Sequence, residues 1–323
     1  METFIFTNQE RNLLFHKYES IPVSPYSDFN QFEKYVIDVT RRLLPSDLYH
    51  QLRQIKNGQN PLGSIILKNI PQDQDLIGTP ESSNFDYNKK GTYVSEAFAV
   101  GIAGMLGEVY AYKNEKDGHK IHNNYLTKKG QNTVSNEGKL LIPYHIEDVH
   151  TAPFHPDYVI LSCLRGHKDA NTYLINSSDI VQHLSKDQIN QLYKSEYYTT
   201  PPQSFSGDSD GNGTLMPVLS GPADQPIMYI EFTDTRGITH KANKCLQEFQ
   251  KICVENVQNI EINLSSGDLL LFDNRINIHS RNAYNEDVSS AFKRWLQRIF
   301  IKDGGLLEWK DQIIGIESKT LKF

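Results

Sequence analysis

The sequence predicts an α+β fold in which helices pack on one side of a β-barrel or sandwich core. Helical periodicity is concentrated before residue 115, and short apolar runs bounded by turn residues crowd the rest of the chain. No linker separates two self-contained patterns, so 1–323 reads as one unit. Within it, 1–94 supplies helical and strand support, 95–302 the core, and 303–323 a C-terminal extension.

Residues 29–58 carry Phe32, Tyr35, Val36 and Val39 at the spacing of one helix face, with Pro45 as an interruption and Gly58 as a stop. "GSIILKNIP" (63–71) is a short apolar strand ending at a proline. "SEAFAVGIAGMLGEVYAYKN" (95–114) opens with a Ser cap and Glu96, then passes from helix to strand near Val109. Strands are expected at 139–147, 157–164, 171–176, 227–233, 258–263, 268–273 and 294–302. The Gly-, Ser-, Asp- and Pro-rich stretch 203–226 is long for a connector and is expected to be a mobile lid or a disordered loop.

Composition narrows the function. With 33 basic and 39 acidic side chains and no basic block, the chain is not expected to bind nucleic acid. No apolar run approaches the roughly 18–20 residues that span a bilayer, and the N-terminus lacks the pattern of a signal peptide. Cys163, Cys245 and Cys253 are too scattered for a disulfide framework or a zinc-ligand spacing, which suits a reducing, cytoplasmic setting.

The chemistry is concentrated in "LIPYHIEDVHTAPFHPDY" (141–158). On a strand, residues two apart share a face, so His145 and Glu147 project together while Ile146 and Asp148 face away. His150 and His155 lie beyond the strand, where prolines turn the chain, and are read as surface or hydrogen-bonded residues. A third ligand is available in His279, 134 residues after His145, at the end of another strand-like run. Two imidazoles and a carboxylate on one face of a metal leave the other positions open, the facial arrangement of non-haem Fe(II) oxygenases. Downstream, "FKRWLQRIFIK" (292–302) puts Arg294, Leu296 and Arg298 on one side of a strand, and Trp295, Gln297 and Ile299 on the other. Buried guanidinium groups need anionic partners, and a carboxylate bound through two hydrogen bonds is the natural one.

Taken together, "YHIED", "GDLLLFDNRINIHSR" and "RWLQRIF" resemble the clavaminate-synthase-like branch of Fe(II)/2-oxoglutarate-dependent oxygenases, over roughly residues 95–302. That branch includes hydroxylases of free arginine, lysine and related amino acids, and it accepts Glu as the carboxylate ligand. The resemblance implies a double-stranded β-helix, or jelly-roll, core with N-terminal and flanking helices. It implies Fe(II) on His145, Glu147 and His279, with 2-oxoglutarate and O2 as co-substrates. Arg294 would pair with the far carboxylate of 2-oxoglutarate, helped by the hydroxyl of Thr172. Arg298 and Ser135 would meet the substrate α-carboxylate, Asn123 the substrate amino group, and Glu147 that amino group as well. Glu231 and Asp234 would receive a cationic side chain. Thr233 stands where some arginine-handling relatives have Asp, which places lysine first, then arginine or ornithine.

Alternatives remain open at the level of sequence. One is a cupin-like protein that binds metal or a small ligand without chemistry. Another is an oxygenase for a carrier-bound or peptidyl amino acid, and a zinc hydrolase is the weakest. The residues leave a homo-oligomer open.

Overall fold

In the computed structural model, residues 1–112, 115–201 and 215–304 are described. Their strands form two principal sheets. The larger holds β1 (Glu2–Ile5), β2 (Ser64–Lys68), β3 (Glu108–Tyr110), β4 (His122–Tyr125), β6 (Tyr158–Arg165), β13 (Asp268–Asp273) and β15 (Trp295–Lys302). Its order is β1-β2-β13-β6-β15, with β3 and β4 pairing with successive parts of β15. The smaller runs β12 (Ile260–Asn263), β7 (Asn171–Asn176), β14 (Asn277–Arg281), β5 (Ile142–His145). Two short ribbons complete the strands: β8 (Tyr197–Thr199) with β11 (Thr235–Gly237), and β9 (Leu219–Ser220) with β10 (Ile227–Met228).

The helices are α1 (Asn8–Glu19), α2 (Phe29–Leu43), α3 (Ser46–Lys56), α4 (Val94–Ala103), α5 (Ser177–Val181), α6 (Lys186–Leu192) and α7 (His240–Glu255). The expected break at Pro45 separates α2 from α3, because the ring cannot donate to the preceding turn. Gly58, at φ +66°, follows the end of α3. Alternation of apolar side chains then stacks the layers. Leu14, Phe32, Val36, Leu52 and Phe98 of the N-terminal helices bury the outer face of the larger sheet through Ile65, Leu67, Ile160, Leu269, Leu271 and Ile299. Between the sheets lie Val159, Cys163, Leu270, Phe272, Leu296 and Phe300 from the larger, and Leu174 and Ile262 from the smaller. Ile146, Ile175 and Ile278 turn outward from the smaller sheet onto α5, α6 and α7.

The sequence expectations meet this architecture unevenly. The strands at 157–164, 171–176, 258–263, 268–273 and 294–302 are present within one or two residues, and 139–147 is trimmed to β5. The strand expected over 227–233 is only the two residues of β10, with an isolated bridge from Glu231 to His145 beyond it. Both principal sheets are open-ended in hydrogen bonding, so the described strands close no barrel. Half of the expected lid (203–214 of 203–226) and most of the C-terminal extension (305–323 of 303–323) fall outside the described residues. Among the described residues no helix is long and apolar enough to cross a membrane.

Candidate metal centre

β5 and β14 are antiparallel neighbours whose register sets His145 directly opposite His279. Their rings lie 4.0 Å apart between centroids, and Glu147 reaches between them. Its Oε2 is 3.4 Å from His279 Nε2 and 3.9 Å from His145 Nε2. One ligand atom from each of the three lies within 4.8 Å of the others, and this is the metal-capable cluster found among the described residues. Ile146 points the opposite way, into the outer core, as alternation requires.

The backbone around Glu147 is held from below. Asn274, fully buried, accepts the Glu147 N–H at 2.9 Å and donates to the Glu147 carbonyl (3.3 Å) and the Pro156 carbonyl (2.8 Å). Asp148 then adopts a left-handed conformation (φ 49°) and ends the extended segment. His145 Nδ1 sits 2.9 Å from the Pro143 carbonyl, which fixes the ring and leaves Nε2 for the centre.

The donor set suits a divalent transition metal. Burial, helped by the neighbouring His145, pushes His279 down to about pKa 4, so its imidazole is neutral and able to ligate at pH 7. Burial alone would raise Glu147, but Arg298 and the two histidines hold its carboxyl well below the ordinary range. His279 Nδ1 has no hydrogen-bond partner, so the preferred tautomer is set by whatever occupies Nε2.

Arg298 is nearly inaccessible and lies between carboxylates. Nη1 donates to Glu147 Oε1 at 2.5 Å, Nη2 to Glu115, and Nη2 is 2.8 Å from His122 Nδ1. Burial opposes its charge, but Glu147 and Glu115 more than compensate and raise its pKa further. Burial raises Glu115 despite Arg298, and raises Asp148 strongly, with Glu115 and Glu147 adding to it. Glu115 Oε2 and Arg298 Nε are buried without partners. A zwitterion offers both missing complements.

A small cavity joins these groups. Its walls include Asn124, Asn136, His145, Glu147, Thr172, His279, Arg281, Arg294, Leu296 and Arg298. Thus the structure brings together His145, Glu147, His279, Arg294, Thr172 and Arg298. The expected facing of Arg294, Leu296 and Arg298 is present, with Trp295 and Gln297 on the reverse.

Four expected site residues are not in the cavity lining, although one of them, Glu231, is bridged to the metal-centre residue His145. Asn123 pairs with Gln297 across β4 and β15, on the face away from the cavity. Its amide accepts from Trp295 Nε1 (2.8 Å) and donates to the Tyr26 hydroxyl (2.8 Å), so Asn124 lines the cavity in its place. One residue of register on β4 makes the difference, and "HNNY" does not reveal that register. Ser135 is tied into its own turn, 2.7 Å from Thr133 Oγ1 and accepting from the Glu137 N–H, while its neighbour Asn136 lines the cavity. Glu231 and Asp234 are not among the lining residues. The Glu231 carboxylate accepts the Asp234 N–H, and burial raises its pKa despite His145 nearby. Sequence reasoning overlooked Arg281, although it stands two residues after His279 on the same strand face. It also overlooked Glu115, which no local pattern marks.

A family model described as taurine catabolism dioxygenase TauD, TfdA family matches residues 94–300. The L-lysine 3-hydroxylase of Catenulispora acidiphila is 29% identical over 272 residues, covering 81% of this chain and 73% of that protein. The L-ornithine/L-arginine 3-hydroxylase of the same organism is 22% identical over 75% of this chain and 77% of that protein. Asparagine oxygenase in complex with Fe(II), 2S,3S-3-hydroxyasparagine and succinate superimposes with a TM-score of 0.83 at 23% identity, covering 93% of each chain. The non-haem iron oxygenase OrfP, in complex with Fe and alpha-ketoglutaric acid, superimposes with a TM-score of 0.84 at 20% identity, over 97% of this chain and 96% of that one. At these identities the structural likeness establishes a shared fold.

Proposed function

Because the chain belongs to the taurine catabolism dioxygenase TauD, TfdA family, we propose that it is a 2-oxoglutarate-dependent dioxygenase that hydroxylates a free basic L-amino acid. L-lysine is the first substrate, with ornithine and arginine next, and C3 is the carbon hydroxylated, following the activities named for the two hydroxylases described above. The observation that carries this reading is one cavity lined by His145, Glu147 and His279 together with two buried arginines, Arg294 and Arg298. A metal-only binding protein has no use for the arginines, and a hydrolase has no use for a second anion clamp.

Fe(II) would be held by His145 Nε2, His279 Nε2 and the Glu147 carboxylate. With 2-oxoglutarate and O2 it supplies oxidative decarboxylation coupled to insertion of one oxygen atom into a C–H bond. Arg294 and Thr172 bind the distal carboxylate of 2-oxoglutarate. Arg298 binds the substrate carboxylate, and Glu115 and Glu147 flank it where an α-ammonium would sit. Glu231 and Asp234, next along the chain from the β10 ribbon, receive the distal cation of a basic side chain. Misplacement by about 1 Å can cost on the order of 100-fold in rate, so fixing both ends of the substrate is the protein's main contribution. The two packed sheets and their flanking helices support a jelly-roll core, and three buried free cysteines suit a reducing cytoplasm.

The test is a panel of free L-amino acids assayed with Fe(II) and 2-oxoglutarate for succinate release and product mass. Lysine should give a product heavier by one oxygen atom, matched by succinate. Equal turnover of acidic and basic amino acids would refute the substrate class.

A further inference from the structure

Arg281 is about as buried as the metal-centre residues, yet Nε and Nη1 have no hydrogen-bond partner. Its Nη2 donates to the Leu140 carbonyl, and its guanidinium carbon sits 5.0 Å from the centre of the Tyr284 ring. Arg294 approaches the same ring from the other sheet, at 6.0 Å. Both arginines line the cavity, and no ion pair joins either to a carboxylate among the described residues. The Glu286 carboxylate accepts the Arg294 backbone N–H but pairs with neither guanidinium, and two buried guanidinium groups near one another without a paired anion are expensive, so the pocket between them is built for one.

The placement says which end of which anion. On β14, Arg281 follows His279 by two residues, and its partner across the ladder to β7 is Thr172. One strand repeat, roughly 6.7 Å, therefore separates the level of the metal centre from a level carrying Arg281, Thr172 and, from the facing sheet, Arg294. An extended five-carbon dicarboxylate with its 2-oxo end at the centre places its other carboxylate at that second level.

We propose that Arg281 is a binding residue for 2-oxoglutarate, donating through Nε and Nη1 to the same distal carboxylate as Arg294 and Thr172. The assignment rests on the co-substrate reading above and extends it to a residue outside the Arg294 strand. A carboxylate has about four acceptor positions, so two guanidinium groups and a hydroxyl can share it.

The experiment is anaerobic calorimetry on the Fe(II)-loaded protein, which reads binding without turnover. The ligands are 2-oxoglutarate and 2-oxopentanoate, which has the same chain length but no distal carboxylate. Arg281→Gln should weaken 2-oxoglutarate binding at least tenfold and change 2-oxopentanoate binding less than about twofold. Arg281→Lys, which keeps the charge and guards against loss of fold, should fall between Arg281→Gln and wild type for 2-oxoglutarate. Equal weakening of both ligands would assign Arg281 to architecture and overturn the proposal, as would unchanged 2-oxoglutarate binding in Arg281→Gln. Failure of the wild-type protein to bind 2-oxoglutarate would instead overturn the co-substrate reading beneath it.

Discussion

Replacing Arg298 by Ala removes a cation that lies within hydrogen-bond reach of one buried carboxylate, Glu147, and one partly buried carboxylate, Glu115. Its side chain is 2% exposed, bonded to Glu147 at 2.5 Å and also to Glu115. Breaking a buried pair from one side costs about 3–5 kcal/mol, because the partner charges stay buried and uncompensated. That is a large share of a total stability of roughly 5–15 kcal/mol. Urea unfolding of the metal-free protein should show the midpoint fall with an unchanged slope. Arg298→Lys should recover part of the loss, since it restores the charge but not the two-pronged geometry.

The same change bears on acid sensitivity. In the wild type, Glu147 is held below its ordinary pKa, so its contribution is complete above the unfolded value near 4.3 and is lost only as pH falls through the lower folded value. Without Arg298, burial acts with less opposition and the carboxyl protonates at higher pH. Metal affinity in Arg298→Ala should therefore begin to fall at mildly acidic pH, where the wild type still binds. Arg298→Ala should also retain 2-oxoglutarate binding while substrate-dependent succinate formation drops about 100-fold or more. A stability change under about 1 kcal/mol, the size expected of an exposed pair, would refute the energetic reasoning. Unchanged turnover would refute the substrate role.

Three further outcomes are expected. Asn274→Ala strands the Glu147 N–H, the Glu147 carbonyl and the Pro156 carbonyl, and should cost about 3 kcal/mol or more in urea unfolding, with weaker metal binding by titration. His155 is buried with both ring nitrogens unpartnered, and burial, then Lys302, pushes it down to about pKa 3. Its unfolded form takes up a proton first, so this contribution is full above about pH 6.5 and is lost as pH falls toward the folded value. His155→Phe should narrow the difference between unfolding midpoints measured near pH 7.5 and pH 5, and an unchanged difference would remove His155 from the acid response. Glu231→Gln should raise the KM for lysine more than tenfold while leaving the KM for 2-oxoglutarate unchanged, measured by succinate release.

Much of the centre was legible because it depends on period-two alternation. His145 with Glu147, and Arg294 with Arg298, share strand faces whatever the rest of the fold does. The pairing of β5 with β14, which sets His145 against His279, is not local, and the sequence offered His279 as the third ligand without its strand partner. Asn123 was misplaced because a strand of two consecutive asparagines carries no mark of its register. Glu115 was missed because it precedes a short helical turn, far in sequence from the Arg298 it meets. The apolar spacing of α7 is regular enough to mark it as a helix from sequence alone. Arg281 could have been found by extending to His279 the same two-residue rule used for His145.

The most direct test of the account is a single incubation of the purified protein with Fe(II), 2-oxoglutarate, O2 and L-lysine, followed by mass spectrometry and succinate quantitation. One hydroxylysine for each succinate is expected, abolished by His279→Ala. Metal-loaded protein that releases no succinate with lysine, ornithine or arginine would contradict it.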